Sequence, residues 1–359
     1  MEPLRGARIT PLVSADAHAL HAYFNACPES PDGRWVLLFV SRRADAHVGD
    51  VCLLERATGS MRALAEGATV EDAHRQAYQQ WARGGECVVY QDLRDDCWVI
   101  SAVEVATGER RELCEGRQLG WGRADLDFVP LHGLHWAPGE HRDLELLDVR
   151  SGEITVAVRL EDAAGVATAE LRERLGGEAA SIFFPVVSPD GRRVIFKLSR
   201  PDSGVFRDPR ASRREGLFAW DLAEGRMLHV RDAWGHPAWH PDSRRVITTP
   251  SMAIDVETGS ERTIEGLEPL RGSHPSFSPD GRVLVSDFAD EAGRWGVAVA
   301  GPDAPRWRVL HLAAAPGPGT ASWRPPHPHP ALSAEGRRVY LNVNLGAWCV
   351  CHVAELPGM

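Results

Sequence analysis

The sequence predicts an all-β fold, a seven-bladed β-propeller that forms a single domain over residues 1–359. Two observations lead to this prediction. Two kinds of tight turn alternate along the chain, and short apolar runs suited to β-strands lie between them. Each kind of turn recurs after about 40 to 50 residues, a period that is typical of propeller blades built from four antiparallel strands.

The first kind of turn has the pattern Ser-Pro-Asp-Gly and comes before an apolar strand. Ser30–Gly33 precedes Arg34–Val40, and Ser278–Gly281 precedes Val283–Val285. Proline presets φ and Asp-Gly supplies the positive φ of a tight turn, so each copy predicts a hairpin between two strands. The seven copies, of which the second and third are degenerate, lie at residues 30–33, 83–85, 123–125, 188–191, 240–243, 278–281 and 333–336.

The second kind of turn usually ends in glycine and follows a short strand such as Leu144–Val149. It occurs at residues 57–59, 106–108, 150–152, 223–225, 257–259 and, loosely, 301–303. The chain ends at Ala347–Val353, which would be the third strand of blade seven, so the last blade lacks its fourth strand. We expect Arg8–Val13 to supply that strand and to close the ring.

Two segments depart from this repeat. Thr168 is a good helix N-cap and the residues from Ala169 to Leu175 are good helix formers, so this segment predicts a short helix between blades three and four. Asp202–Glu215 is predicted to be an arginine-rich loop inside blade four.

Composition limits the possible functions. A net charge of -10 and a pI near 5.8 argue against nucleic-acid binding, which usually needs a basic face. The sequence has neither the apolar core of a signal peptide nor an apolar run of about 18 residues, so we expect a cytoplasmic protein without membrane contact. The seven cysteines lack paired CxxC spacing, which favours reduced thiols. The oligomeric state stays open.

Histidines precede the first strand in three consecutive blades. They occur in Gly235-His236-Pro237, in His274-Pro275 and in His327-Pro328-His329-Pro330. The first strands of propeller blades surround one channel, and residues two apart on a strand face the same side, so these imidazoles are expected to converge. Neutral imidazole is a common ligand of divalent metals. The alternative is that His-Pro only begins each strand and the rings pack in the core.

This pattern resembles that of oligogalacturonate lyases, seven-bladed propellers of pectin breakdown. The resemblance rests on the order of the turns, the His-Pro sequences of blades five and six, and the late His-Pro-His-Pro. It implies a divalent metal, typically manganese, bound by His274, His327 and His329. The resemblance places a glutamine ligand where this chain has Arg324, and a cationic arginine cannot bind a metal. Either another group fills that place, or metal binding is lost and Arg324 holds a carboxylate directly.

The reaction that the resemblance implies is β-elimination on a uronate sugar. By position, His236 would act as the base, and Arg210 would help to hold the carboxylate. The alternative for the loop around Arg210 is a solvated basic insertion. Tyr78, Gln79 and Trp239 are further candidates for sugar contacts, if Tyr78 and Gln79 point inward and Trp239 is exposed at the mouth; otherwise they pack between blades.

The leading hypothesis is therefore a metal-dependent lyase that acts on short uronate oligosaccharides. A second hypothesis is a non-catalytic propeller that binds a protein or a sugar through its mouth. A third is a metal-dependent enzyme that acts on another sugar, which Arg324 makes more plausible.

Overall fold

The computed structural model describes residues 1–248, 252–268, 270–271, 274–301, 304–314 and 319–357. Strands dominate, so the predicted all-β class is confirmed. Internal contacts divide the chain into two compact units. The first unit contains Met1–Gln79, Gly235–Asp255 and Ser260–Met359, and the second contains Gln80–Trp234 and Val256–Gly259. The number of blades, the closure of a ring and the single domain stay predictions.

The second unit contains three sheets, each of four antiparallel strands that pair in chain order. Sheet A consists of Gln80–Ala82, Cys87–Arg94, Cys97–Glu104 and Arg110–Glu115; sheet B of Arg117–Leu119, Phe128–Gly133, Leu144–Asp148 and Ile154–Val158; sheet C of Ser181–Val187, Arg193–Pro201, Ser212–Asp221 and Arg226–Arg231. This pattern of neighbouring strands is the one that alternating turns predict.

The first unit contains sheets D, E and F. Sheet D consists of Ala238–Trp239, Arg245–Thr248, Met252–Asp255 and Glu261–Thr263; sheet E of Pro275–Phe277, Leu284–Ala289, Trp295–Gly301 and Ala304–Leu312, with Glu2–Pro3 parallel to its last strand; sheet F of Ala331–Leu332, Arg338–Asn344, Cys349–Glu355, His18–Leu20, Trp35–Ser41, Val48–Glu55 and Met61–Thr69. Sheet F thus joins strands from both ends of the sequence.

The N-terminal strand pairs where the sequence predicts it. Arg8–Pro11 lies antiparallel to Cys349–Glu355, with Arg8 opposite Glu355. A single parallel bridge between Val350 and Ala19 connects the same last strand to His18–Leu20.

The predicted turns lie between the predicted strands. Each turn of the first kind joins the first two strands of a four-stranded set, and the second kind joins the third and fourth strands. In Ser278–Gly281 the Ser278 Oγ accepts from the Val283 N–H at 2.9 Å and donates to the Asp280 carboxylate at 2.6 Å. Gly281 has a φ of 70°, which explains the glycine. Residues 302–303 of the last second turn lie outside the described residues.

Two short helices follow sheet B. The predicted helix is confirmed as Ala169–Leu175, because the Thr168 Oγ1 accepts from the Leu171 N–H at 3.0 Å. The helix Leu160–Gly165 was not predicted, and its first residue follows Arg159, which makes no side-chain cap. Both helices bury apolar residues against sheets B and C. The rings of Phe196 and Phe218 in sheet C belong to the same core. The members of this core are Leu144, Val158, Leu160, Ala163, Ala167, Leu171, Leu175, Ile182, Val187, Val194, Phe196, Leu198, Phe218 and Trp220.

Other predictions can be compared with the structure directly. The arginine-rich loop is shorter than expected, because the strand Ser212–Asp221 includes its last residues through pairing with Arg193–Pro201. All seven cysteines are free thiols, as the lack of paired spacing predicts. Among the described residues, no helix has the length and apolar character that crossing a bilayer requires.

Candidate metal centre

Four histidines of the first unit form one cluster. His74, His274, His327 and His329 each offer a ligand nitrogen, and these nitrogens all lie within 4.8 Å of one another. The ring centroids of His74 and His329 are 4.4 Å apart, and those of His274 and His329 are 4.7 Å apart. His327 is partly exposed, whereas the other three are buried. The convergence predicted for His274, His327 and His329 is therefore observed, and His74 joins them.

The histidines lie in loops, and this corrects the argument from strand alternation. His274 comes immediately before Pro275–Phe277, and His327 and His329 precede the strand Ala331–Leu332. The backbone of His329 has a φ of 45°, a left-handed conformation that non-glycine residues rarely adopt. Such strain is often found at ligand sites, where the surrounding structure holds it in place. The loop conformation, and not the pleat of a strand, brings both rings to the cluster.

Asp287 anchors the cluster from behind. Its carboxylate accepts from the His274 Nδ1–H at 3.0 Å, from the His274 backbone N–H at 2.8 Å and from the His329 backbone N–H at 3.1 Å. Asp287 is fully buried, and burial raises the pKa of this carboxyl to about 7. With the proton of His274 on Nδ1, its Nε2 keeps a lone pair, which is the arrangement found behind metal-binding histidines.

His74 has an anchor of the same kind. Its Nδ1–H donates to the Pro325 carbonyl at 2.9 Å, which leaves Nε2 as the atom with a lone pair. The Trp323 Nε1–H donates to the Glu71 carbonyl at 2.9 Å, and the Ala73 N–H donates to the Ser322 Oγ at 3.2 Å. Three hydrogen bonds therefore tie the segment that carries His74 to the loop that carries His327 and His329.

Several ring nitrogens of the cluster have no hydrogen-bond partner in the part of the chain that the structure describes. The Nε2 of His274, the Nδ1 of His327 and both ring nitrogens of His329 are buried and have no hydrogen-bond partner among the described residues. Buried polar atoms are normally paired, since leaving one unpaired costs about 1–3 kcal/mol. Several such atoms in one place indicate that the cluster binds something further.

The charge state of the cluster suits a cation. Burial lowers the pKa of His274 and of His327 to about 3, and it holds the pKa of His74 and of His329 well below the ordinary value. The Arg324 charge lowers the pKa of all four. The imidazoles are therefore neutral at pH 7, and neutral imidazole is the form that binds metals. The residues fit a divalent ion of the first transition row.

Aromatic rings close one side of the cluster. The Tyr23 ring centroid lies 4.5 Å from that of His329 and 5.5 Å from that of His74. Phe24 lies 5.1 Å from His274. Tyr23 and Phe24 are both buried, so they exclude water from this side. Low water content strengthens electrostatic interactions at the site.

Solved structures are similar in fold to this chain, whereas no family model and no curated protein matches its sequence. An oligogalacturonate lyase from Vibrio parahaemolyticus matches with a TM-score of 0.68 and 17% identity, over 100% of this chain and 96% of its own. The chain has the fold of oligogalacturonate lyases. An oligogalacturonate lyase in complex with manganese matches with a TM-score of 0.67 and 18% identity over the same shares. The Cps50 (Swd1) β-propeller domain of Myceliophteria thermophila matches over 96% of this chain and 100% of its own, with a TM-score of 0.54 and 9% identity.

Two further predicted residues lie near the cluster in this lyase-like fold. The His236 ring centroid is 4.7 Å from that of His274, and His236 is partly exposed. The Arg324 Nη1 lies 3.7 Å from the Asp72 Oδ2, and its side chain is 28% exposed. The roles of His236 as the base and of Arg324 as a contact of the substrate stay predictions.

Three other residues that were predicted to contact a sugar are buried in the structure. Trp239 is only 7% exposed, so it does not meet the condition of exposure on which its predicted sugar contact depends, and it packs inside the first unit. Tyr78 is buried under the Arg75 guanidinium at 5.0 Å, and the Gln79 amide donates to the Leu20 carbonyl at 3.5 Å. These contacts favour packing over sugar binding.

Arg210 lies in the second unit, where its side chain is exposed. Its backbone N–H donates to the Asp208 carboxylate at 2.8 Å. The contact of Arg210 with a substrate stays a prediction.

Sequence reasoning missed His74 and Asp287. His74 lies six residues before the strand Gln80–Ala82, so it also precedes the first strand of a sheet, at a greater distance than the His-Pro motifs do. A search for any histidine in the segments before first strands would have found it. Asp287 lies within the strand Leu284–Ala289, and no sequence pattern distinguishes it from an ordinary strand residue.

Proposed function

We propose that this protein is a lyase that cleaves short uronate oligosaccharides by metal-assisted β-elimination. The observation that carries the proposal is the cluster of four neutral imidazoles with His236 beside it. The fold shared with oligogalacturonate lyases supports the reaction class. Manganese is the ion named for one of those structures, and we propose a divalent ion of the same row, held by His74, His274, His327 and His329.

In β-elimination on a uronate, a base removes the proton from the carbon next to the carboxylate. The electron pair of that bond forms a carbon–carbon double bond, the bond from C4 to the leaving oxygen breaks, and this oxygen takes up a proton. The first proton is poorly acidic while the carboxylate keeps its full charge. A divalent ion in the centre would supply a positive charge that lowers this barrier.

His236 suits the role of the base. Its ring contacts that of His274, yet it is partly exposed, so a substrate can reach it. It is not one of the four donors of the cluster, and imidazole is the side chain that most often acts as a general base. Its φ of 47° shows that the loop holds it in an uncommon backbone conformation.

Arg324 suits the role of the carboxylate contact. Its side chain is partly exposed, and its ion pair with Asp72 is long, at 3.7 Å. Its Nη1 has no hydrogen-bond partner among the described residues. A guanidinium can hold a carboxylate through two parallel hydrogen bonds, so Arg324 can orient the uronate next to the centre. Arg210 is proposed as a second contact of this kind.

A product assay tests the proposal. The protein is incubated with digalacturonate and with unsaturated oligouronates, with and without added Mn²⁺, and unsaturated or keto-deoxy products are measured. We expect metal-dependent product formation that His236→Ala abolishes. His141→Ala, in a surface loop of the second unit, is the matched control and should keep full activity. Absence of turnover on every uronate, or full activity of His236→Ala, would contradict the proposal.

A further inference from the structure

We infer that the centre is an all-imidazole site that selects Co²⁺, Ni²⁺ and Zn²⁺ over Mn²⁺, with His74 as its fourth ligand. The inference rests on the metal centre of the proposed function and not on the lyase reaction. It concerns a property that the resemblance does not give, because the resemblance implies an oxygen ligand from glutamine where this chain has Arg324.

Every donor of the cluster is a nitrogen. Among the described residues, the group of side chains whose ligand atoms lie within 4.8 Å of one another contains four histidines and no carboxylate. The nearby carboxylates have other partners. Asp287 accepts three hydrogen bonds from His274 and His329, and Asp72 pairs with Arg75 at 3.1 Å.

The position of His74 is fixed well enough for a ligand. Its Nδ1–H is held by the Pro325 carbonyl, and the hydrogen bonds of Ser322 and Trp323 hold the residues that precede His74. The ring centroid of His74 lies 4.7 Å from that of His327 and 4.4 Å from that of His329. Arg324 comes from the same loop and cannot supply a lone pair. His74 therefore takes the place in the donor set that an amide oxygen would otherwise take.

Donor type bears on the choice of metal. Imidazole suits ions such as Zn²⁺, Cu²⁺ and Ni²⁺, whereas oxygen donors suit Mn²⁺, Mg²⁺ and Ca²⁺. Affinity at most sites rises from Mn²⁺ towards Cu²⁺, so a preference for Zn²⁺ alone would not identify the donors. The decisive quantity is how far the ratio of Zn²⁺ to Mn²⁺ affinity changes when one nitrogen is replaced by an oxygen.

Competition titrations measure this ratio. The full-length protein is freed of metal with a chelator, and the affinities for Zn²⁺, Co²⁺ and Mn²⁺ are determined against a chromophoric chelator. In His74→Gln we expect the affinities for Zn²⁺ and Co²⁺ to fall by at least about 10- to 100-fold, which is the usual effect of losing a hydrogen-bond partner of a metal ligand. The affinity for Mn²⁺ should change less. His141→Gln, outside the cluster in a surface loop of the second unit, is the matched control and should keep the wild-type ratio. An unchanged ratio in His74→Gln, or tightest binding of Mn²⁺ by the wild type, would overturn the inference.

A second measurement needs no variant. Nitrogen splittings in the electron paramagnetic resonance spectrum of the Cu²⁺-loaded wild type count the bound imidazoles, and we expect four. A count of three or fewer would contradict a site with four imidazole ligands. The outcomes separate the two proposals: a zinc-selective protein without turnover on uronates contradicts only the lyase, and a manganese-selective lyase contradicts only this inference.

Discussion

Asp287 shows how a single buried residue can organise the centre. Its carboxylate receives a side-chain hydrogen bond from His274 and backbone hydrogen bonds from His274 and His329. One residue thus sets the tautomer of the first histidine and the loop position of the second. Charged acceptors of this kind also make the imidazole a better donor to a metal.

Asp287→Asn is expected to weaken metal binding by about 10- to 100-fold, the usual effect of losing such a partner. The amide would keep one acceptor oxygen but would turn an N–H donor towards the backbone N–H of His329 or of His274. Titration of the metal-free protein with Zn²⁺ measures the change. Asp290→Asn, at a partly exposed pair with Arg294, is the control and should bind as the wild type does. Wild-type affinity in Asp287→Asn would show that the carboxylate does not support the centre.

Arg324 is the second residue whose role can be separated from folding. Arg324→Gln is expected to lower kcat/KM on oligouronates by about 10- to 100-fold, because hydrogen bonds to charged groups contribute about 1.5–3 kcal/mol. Arg324→Lys should restore part of the loss through its charge alone. Steady-state kinetics measure both variants, with the exposed Arg337→Gln as control. Unchanged kinetics in Arg324→Gln would mean that another group holds the carboxylate.

At the scale of elements, the segment Val70–Gln79 is the least expected feature. It is rich in charged and polar residues, yet all ten of its residues are buried. The Arg75 Nη2 pairs with Glu71 at 3.2 Å and with Asp72 at 3.1 Å, and all three side chains are 1% exposed. These pairs allow the charged segment to lie inside the first unit and to present His74.

Arg75→Leu is expected to destabilise the protein by about 3–5 kcal/mol, because it removes the nearest cation from two buried carboxylates. Urea unfolding monitored by circular dichroism measures the change in the free energy of unfolding. Arg43→Leu, which removes an exposed pair with Asp45, is the control and should have little effect. A similar small effect in Arg75→Leu would show that the segment is held by other contacts.

Features that depend on contacts within a few residues could be predicted from the sequence, whereas features that depend on distant contacts could not. The turns at Ser278–Gly281 and its copies follow from local chemistry, since the serine, the aspartate and a glycine with positive φ act within a few residues. The helix at Ala169–Leu175 follows from its own N-cap in the same way. His74 could not be predicted with equal ease, because its burial depends on ion pairs and on a loop that lies far away in sequence.

At the scale of the whole molecule, pH should control the stability of the metal-free protein. The pKa of His274 and of His327 is lowered by burial from 6.5 to about 3, so between these values the unfolded chain binds protons that the folded chain excludes. Stability therefore falls as pH drops through this range. Asp287 has the opposite effect, since burial raises its pKa from 3.8 to about 7 and the folded state takes up its proton first. Because four imidazoles lower the free energy of unfolding in acid and one carboxyl raises it, we expect a net decrease.

Urea unfolding of the metal-free protein at pH 7, 6 and 5 tests this expectation, and we expect the free energy of unfolding to decrease at each step. Asp287→Asn removes the opposing group and should make the dependence steeper. A free energy of unfolding that stays constant or rises towards pH 5 would contradict the assignment of neutral, buried imidazoles.

Sheet F has a consequence for the order of events during synthesis. Its strand Cys349–Glu355 is made long after Arg8–Pro11 and His18–Leu20, yet it pairs with both of them. The two early strands must therefore wait without this partner while the residues in between are made. The histidines have the same separation, since His74 emerges long before His329. The four imidazoles can therefore come together only after His329 has been made, and a metal that needs all four of them could bind no earlier.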